Sequence, residues 1–167
     1  MLDQCLSSLE AQDFNPQNVQ ICVSNNGSTD TTEEIIKKWE PKLNLVVNSH
    51  IENMGIPLNF LKVVSLARGK YIWLLGDDDI VVPGAIDYVL KLIETKREID
   101  FFLFNSWNLT DRSQLLSDCS LAVKASENRF WSTRFTGKMP FCKIIEHNIT
   151  FDHLGGMYLS IFNRDLW

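Results

Sequence analysis

Three consecutive carboxylates, Asp77, Asp78 and Asp79, follow directly on an apolar run, Tyr71-Ile72-Trp73-Leu74-Leu75. Neighbouring like charges repel and oppose one another's ionisation, so local stability gives no reason for such a triplet. A divalent cation removes the conflict. Mg2+ or Mn2+ takes one or two protein carboxylates and completes its shell with phosphate oxygens and water. If the apolar run is a strand of an open α/β sheet, the acids stand at its carboxyl end, where such sheets bind ligands. A solvated acidic turn is the plain alternative, and the apolar strand before it and Val82-Pro83-Gly84 after it argue against that. A phospho-acceptor pocket is a third reading, but it needs a lysine on a neighbouring strand and the pattern places none.

The elements that must position this turn follow from periodicity. Leu2, Cys5, Leu6 and Leu9 recur at helical spacing, and Asn18 marks a turn before a short strand, 19–23. Asp30 with Glu33 three residues on predicts a capped helix whose face carries Ile35, Ile36 and Trp39 and which stops near Pro41. A second strand is expected at 43–47, then a helix from Pro57 through Phe60, Leu61, Val64 and Leu66, ended by Arg68-Gly69. The run 71–75 lacks alternation, which suits a parallel strand covered on both faces. Pro83 opens a helix with Ile86, Val89, Leu90 and Ile93 inward, and 101–104 is a fourth strand. Strands alternating with helices predict a doubly wound α/β sheet. From 108 to 148 the pattern weakens to one or two helices, and 157–162 reads as a last strand.

With 167 residues the chain fits one domain, 1–167. Its net charge of -5 argues against a nucleic-acid partner, which requires a basic surface. No apolar run approaches the roughly 20 residues that cross a bilayer, and no signal peptide opens the sequence, so a cytoplasmic location is expected. Cys5, Cys22, Cys119 and Cys142 form no C-x-x-C pair and read as buried free thiols. His50, His147 and His153, like Trp73, Trp107 and Trp131, take structural readings first, although Trp107 and Trp131 are of a type that stacks on sugars.

Four stretches in order resemble the family 2 glycosyltransferases of GT-A fold. Val23-Ser24-Asn25-Asn26-Gly27-Ser28-Thr29-Asp30 is similar to that family's V-D-D-G-S-T-D strand end, and Asn53-Met54-Gly55 with Asn59 to its N-x-G and following Asn. Ala67-Arg68-Gly69-Lys70-Tyr71-Ile72 matches A-x-G-x-Y-I, and Leu75-Gly76-Asp77-Asp78-Asp79 matches the D-x-D region. The Gly-Asp-Asp-Asp form most resembles the abequosyltransferase-like subgroup of bacterial surface polysaccharide synthesis.

The resemblance implies a GT-A (Rossmann-like) mixed, mainly parallel sheet flanked by helices, and inverting transfer of a sugar from a nucleotide-diphosphate sugar to an acceptor hydroxyl. It implies a nucleotide-sugar-binding half, 1–107, and an acceptor-side half, 108–167, whose acceptor is a sugar or lipid-linked sugar. That acceptor adds the inner face of the cell membrane as a location. Asp78 would hold Mn2+ or Mg2+, Asp77 would contact the donor ribose or the metal shell, and Asp79 would support them. His153 is a further candidate for the metal shell. Asn25 and Asn26 stand where the family has acids that help read the base; as turn residues they need no ligand, and as ligands their amides both donate and accept. In that second case the base is expected to be cytidine rather than uridine. The family pattern begins with a further strand, carrying a P-x-Y-N turn, before the first helix, and places its catalytic base after a segment like 160–167. The expectation is therefore a sheet lacking its first strand and no assignable base, with Asp152 and Asp165 candidates only as carboxylates in the right half. An exposed sheet edge would favour homo-oligomers or a substitute strand. The opposing expectation is a non-catalytic remnant with weak nucleotide binding or an interaction role only.

Overall fold

The computed structural model describes residues 1–97, 100–103 and 160–166. Within them the order is α1 (Leu2–Glu10), β1 (Cys22–Asn25), α2 (Thr32–Leu43), β2 (Val46–Ser49), α3 (Ile56–Leu66), β3 (Tyr71–Trp73), α4 (Ala85–Thr95), β4 (Phe101–Leu103) and β5 (Ser160–Asn163). A single 3-10 turn, Arg164–Leu166, follows β5. The helices and strands expected from periodicity are present in this span. The expected helices between 108 and 148 lie outside the described residues, as do Trp107, Trp131, His147, His153, Asp152, Cys119 and Cys142.

The boundaries moved where local chemistry outweighed apolar content. The first strand is laddered from Cys22 rather than Val19, because its partner begins at Val46 and pairs Cys22 with Val46. Leu43, expected in β2, closes α2 instead. Pro41 does not stop that helix: it sits in the last turn, and the chain turns out at Asn44 in the left-handed region (φ 49°). The Asn44 and Leu45 amides both donate back to the Glu40 carbonyl, across the proline. At the other end the cap is Thr31 rather than Asp30, whose carboxylate accepts the Thr32 N–H at 3.0 Å. Glu33 does not complete a capping box; it pairs with Lys37 at 2.7 Å on the surface.

Among the described residues the strands form two ladders, β1-β2 parallel and β3-β5-β4 antiparallel. The run 71–75, expected to lie in a parallel strand, thus pairs antiparallel with β5, in a ladder whose described pairs are both antiparallel. It shares the direction of β1 nonetheless. Gln20, before β1, donates to the Leu66 carbonyl and accepts the Arg68 N–H at 2.8 Å, so β1 and β3 start at the same end. The carboxyl ends of β1, β2 and β3 therefore face one way, and the acidic turn lies there. Leu103 pairs with Ser160, so the chain leaves and re-enters the described structure at that same end.

Both faces of β3 are covered, as its composition predicts. Ile72 and Leu74 pack with Val64 of α3 and Phe162 of β5. Trp73 and Leu75 pack against the cluster of Leu6, Leu9, Trp39, Leu45, Val81 and Ile86 that α1, α2 and α4 build. Leu6 and Ile161 are the deepest side chains, 2% and 1% exposed. No described helix is long and apolar enough to cross a membrane.

Candidate functional site

The acidic turn is a closed hydrogen-bonded unit. The Asp79 N–H donates to the Gly76 carbonyl at 3.2 Å, and the Asp79 carboxylate accepts the Gly76 N–H at 2.8 Å. Asp79 is thus the acid that builds the turn and is half-buried, while Asp77 and Asp78 are exposed. Gly76 makes room for this. A Cβ there would lie 2.8 Å from Asp78 Oδ1 and 3.0 Å from Asp79 Oδ2, so a side chain at this position would displace the carboxylate ends.

Helix α1 holds the turn from below. The Cys5 thiol donates to the Gly76 carbonyl at 3.6 Å, the Ser8 hydroxyl accepts the Val81 N–H at 3.0 Å, and the Gln12 amide donates to the Val81 carbonyl at 3.2 Å. Burial, reinforced by the charges of Asp79, Asp77 and Asp78, pushes the Cys5 thiol up from its ordinary 9.0 to about 11. The thiol is therefore protonated and unreactive at neutral pH, the structural role expected for it.

At the end of β1 the two asparagines are loop builders. Asn25 is 6% exposed and its side-chain oxygen accepts the Ser28 N–H at 3.0 Å. The Asn26 amide is engaged at both ends: its nitrogen donates to Asn53 at 3.0 Å and its oxygen accepts the Met54 N–H at 2.9 Å. Asn53 in turn accepts the Gly55 N–H at 2.8 Å. Gly27 (φ 69°) allows the two loops to touch, since a Cβ there would lie 2.5 Å from the Glu52 carbonyl carbon. Asn59, on the first turns of α3, exchanges hydrogen bonds with Ser24. His50 donates its backbone N–H to the Asn25 carbonyl, and its buried Nε2 has no partner among the described residues.

Asp77, Asp78 and Asp79 thus share one turn, Asn25 and Asn26 share another, and both lie at the same end of the sheet. No hydrogen bond among the described residues joins the two groups. Asp165 is elsewhere. Register pairs Asn163 with Tyr71, so Asp165 follows β5 beyond the start of β3, whereas Asp77 follows the end of β3. Trp73 is partly buried and packs against the core, in line with the structural reading. Sequence reasoning missed the α1 contacts, although a signal existed: Ser8 and Gln12 fall on the helical stripe of Cys5.

Among the described residues no three His, Cys, Asp or Glu side chains converge as a ready metal cage. The two exposed carboxylates, Asp77 and Asp78, are of the type that suits a hard divalent cation drawing its remaining ligands from substrate phosphates and water.

The family described as Glycosyl transferase family 2 matches residues 1–162. Abequosyltransferase RfbV of Salmonella typhimurium is 30% identical over 132 residues, 78% of this chain and 37% of that protein. Minor teichoic acid biosynthesis protein GgaB of Bacillus subtilis is 32% identical over 101 residues, 59% of this chain and 11% of that protein. Among solved structures, S. aureus TarS 1-349 superposes with a TM-score of 0.68 at 20% identity, over 99% of this chain and 43% of that one. This shows the expected α/β GT-A fold. TarS 1-349 in complex with UDP aligns with a TM-score of 0.62 at 26% identity, over 66% of this chain and 33% of that one. The chain thus spans well under half the length of these relatives.

Proposed function

Because this chain belongs to glycosyl transferase family 2, we propose that it forms the donor-binding part of a metal-dependent sugar transferase acting in bacterial surface polysaccharide synthesis. The observation that carries the reading is the Gly76–Asp79 turn, which spends one carboxylate on its own closure and leaves Asp77 and Asp78 exposed at the carboxyl end of the sheet. The donor is a nucleotide-diphosphate sugar and the acceptor a sugar or lipid-linked sugar hydroxyl.

In the transfer, the acceptor oxygen forms a bond to the sugar C1 as the bond from C1 to the diphosphate oxygen breaks. The leaving diphosphate gains negative charge. Mn2+ or Mg2+ held by Asp78, with Asp77 beside it, would supply Lewis-acid stabilisation of that charge. Asp79 contributes by fixing the turn, and Gly76 by leaving room for the carboxylate ends. The acceptor proton needs a base, and Asp165, which follows β5 beyond the start of β3, is not proposed for that role. Asn26 fixes the loop beside the donor, and its engaged amide gives no reason to prefer cytidine over uridine.

The distance of Asp165 from the turn also favours a second reading, in which the chain binds nucleotide weakly or serves only as an interaction module. Self-association through a sheet edge remains part of either reading and is checked by light scattering. Calorimetric titration with UDP, CDP and GDP, with and without Mn2+, separates the readings. Metal-dependent binding that disappears in Asp78→Ala supports the first; no binding to any of the three supports the second.

A further inference from the structure

Two polar side chains, Ser8 on α1 and Gln12 just past its C-cap Ala11, are 5% and 8% exposed, beside the buried Cys5, Leu6 and Leu9. Burying a hydroxyl and an amide is costly unless each makes hydrogen bonds, so packing alone does not explain them. Cys5, Ser8 and Gln12 are spaced i, i+3, i+7 and form a stripe that begins on α1 and continues just past its end at Glu10. Every polar contact of that stripe outside α1 goes to the two shoulders of the acidic turn, Gly76 and Val81.

The bonding at Val81 is complete. Its N–H donates to the Ser8 hydroxyl and its carbonyl accepts from the Gln12 amide, so two side chains give this buried residue what a neighbouring strand would give. The two are themselves linked. Ser8 donates onward to the Cys5 carbonyl at 2.7 Å, and Gln12 also donates to the Ser8 carbonyl at 3.1 Å. The hydroxyl thus acts as donor and acceptor at once, a role alanine cannot fill. At the other shoulder the Gly76 N–H and carbonyl are held by Asp79 and by the Asp79 N–H with the Cys5 thiol.

We infer that Cys5, Ser8 and Gln12 are positioning residues that clamp the acidic turn at both shoulders and so fix where Asp77 and Asp78 meet the donor diphosphate. This rests on the donor-site reading above. Loss of the clamp leaves the carboxylates in place in the sequence but no longer held in one geometry, and a site that supplies only part of a metal shell depends on that geometry.

The test compares Ser8→Ala, Gln12→Met and the hydroxyl-preserving Ser8→Thr with Ile36→Ala, which opens the core on α2, away from the turn. Titration of each with UDP, CDP and GDP in the presence of Mn2+ is paired with amide hydrogen exchange at Asp79 and Val81. The expected result is at least about tenfold weaker nucleotide binding in Ser8→Ala and Gln12→Met, with faster exchange at both amides, recovery in Ser8→Thr, and unchanged affinity in Ile36→Ala. Unchanged affinity and exchange in Ser8→Ala and Gln12→Met overturn the inference, as does an equal loss of affinity in Ile36→Ala. If the unaltered chain binds none of the three nucleotides, the donor-site reading falls, and exchange at Asp79 then decides by itself whether α1 holds the turn.

Discussion

Replacing Gly27 by alanine adds one carbon where the β1 loop meets the β2–α3 loop. The new Cβ would lie 2.5 Å from the Glu52 carbonyl carbon, 2.7 Å from the Asn53 nitrogen and 2.8 Å from the Glu52 Cα. Carbon contacts are comfortable only near ~3.5–4.0 Å. All three neighbours are backbone atoms, so no side chain can swing away and the loop itself must shift. Overpacking of this kind costs about 1–3 kcal/mol. The backbone at φ 69° adds about 1–2 kcal/mol for any residue bearing a Cβ. Together these give a loss of roughly 2–5 kcal/mol. Gly84 supplies the control, since at φ 81° it has the second penalty and nothing within 4 Å of a Cβ to cause the first. Gly84→Ala should therefore cost no more than about 1–2 kcal/mol, reduced by the lower entropy of its unfolded chain. Urea unfolding of both variants, compared through midpoints at constant m-value, measures the difference. Equal losses in the two, or a loss below about 1 kcal/mol for Gly27→Ala, would refute the close approach of the loops.

Asp79→Ala removes the acceptor of the Gly76 N–H and should lower stability by about 1–3 kcal/mol in the same assay, although Asp79 is not assigned to the metal. Asn26→Ala cuts the bonds to Asn53 and Met54 and should cost about 1 kcal/mol with no change in the ranking of UDP against CDP; a changed ranking would restore Asn26 as a base reader. Native Cys5 should resist a thiol reagent at pH 8 and react on unfolding. Its thiol ionises at about 11 when folded and near 9.0 when unfolded, so the folded state holds the proton more tightly. Stability from this group is full below pH 9 and falls between pH 9 and 11 by on the order of 3 kcal/mol, a loss that Cys5→Ser should abolish in pH-dependent unfolding.

The acidic turn stood out in the sequence because its chemistry conflicts with local stability. Of three adjacent carboxylates after a covered strand, only Asp79 has a structural task, closing the turn onto Gly76, and the turn stands where the α/β pattern put it. The faces of α1, α2 and α4 were legible because apolar periodicity is a direct record of burial: Leu6, Ile36, Trp39, Ile86 and Val89 are all core. The strand limits were not, because a ladder is set by its partner and not by its own composition, as Val19 and Leu43 show. Ser8 and Gln12 escaped for a related reason. A serine and a glutamine on a helix read as solvent-facing until something across the core is found to need their hydrogen bonds. Asn25 and Asn26 hold the loop through their side chains, bonds that neither apolar periodicity nor the motif spells out.

The exposed pair Asp77 and Asp78 is the centre of the account, and calorimetric titration of the chain and its Asp78→Ala variant with nucleoside diphosphates, with and without Mn2+, tests it most directly. The account predicts binding that requires the metal and is lost in the variant while the fold is kept. Binding that is equally strong without metal, or unchanged by Asp78→Ala, would contradict it.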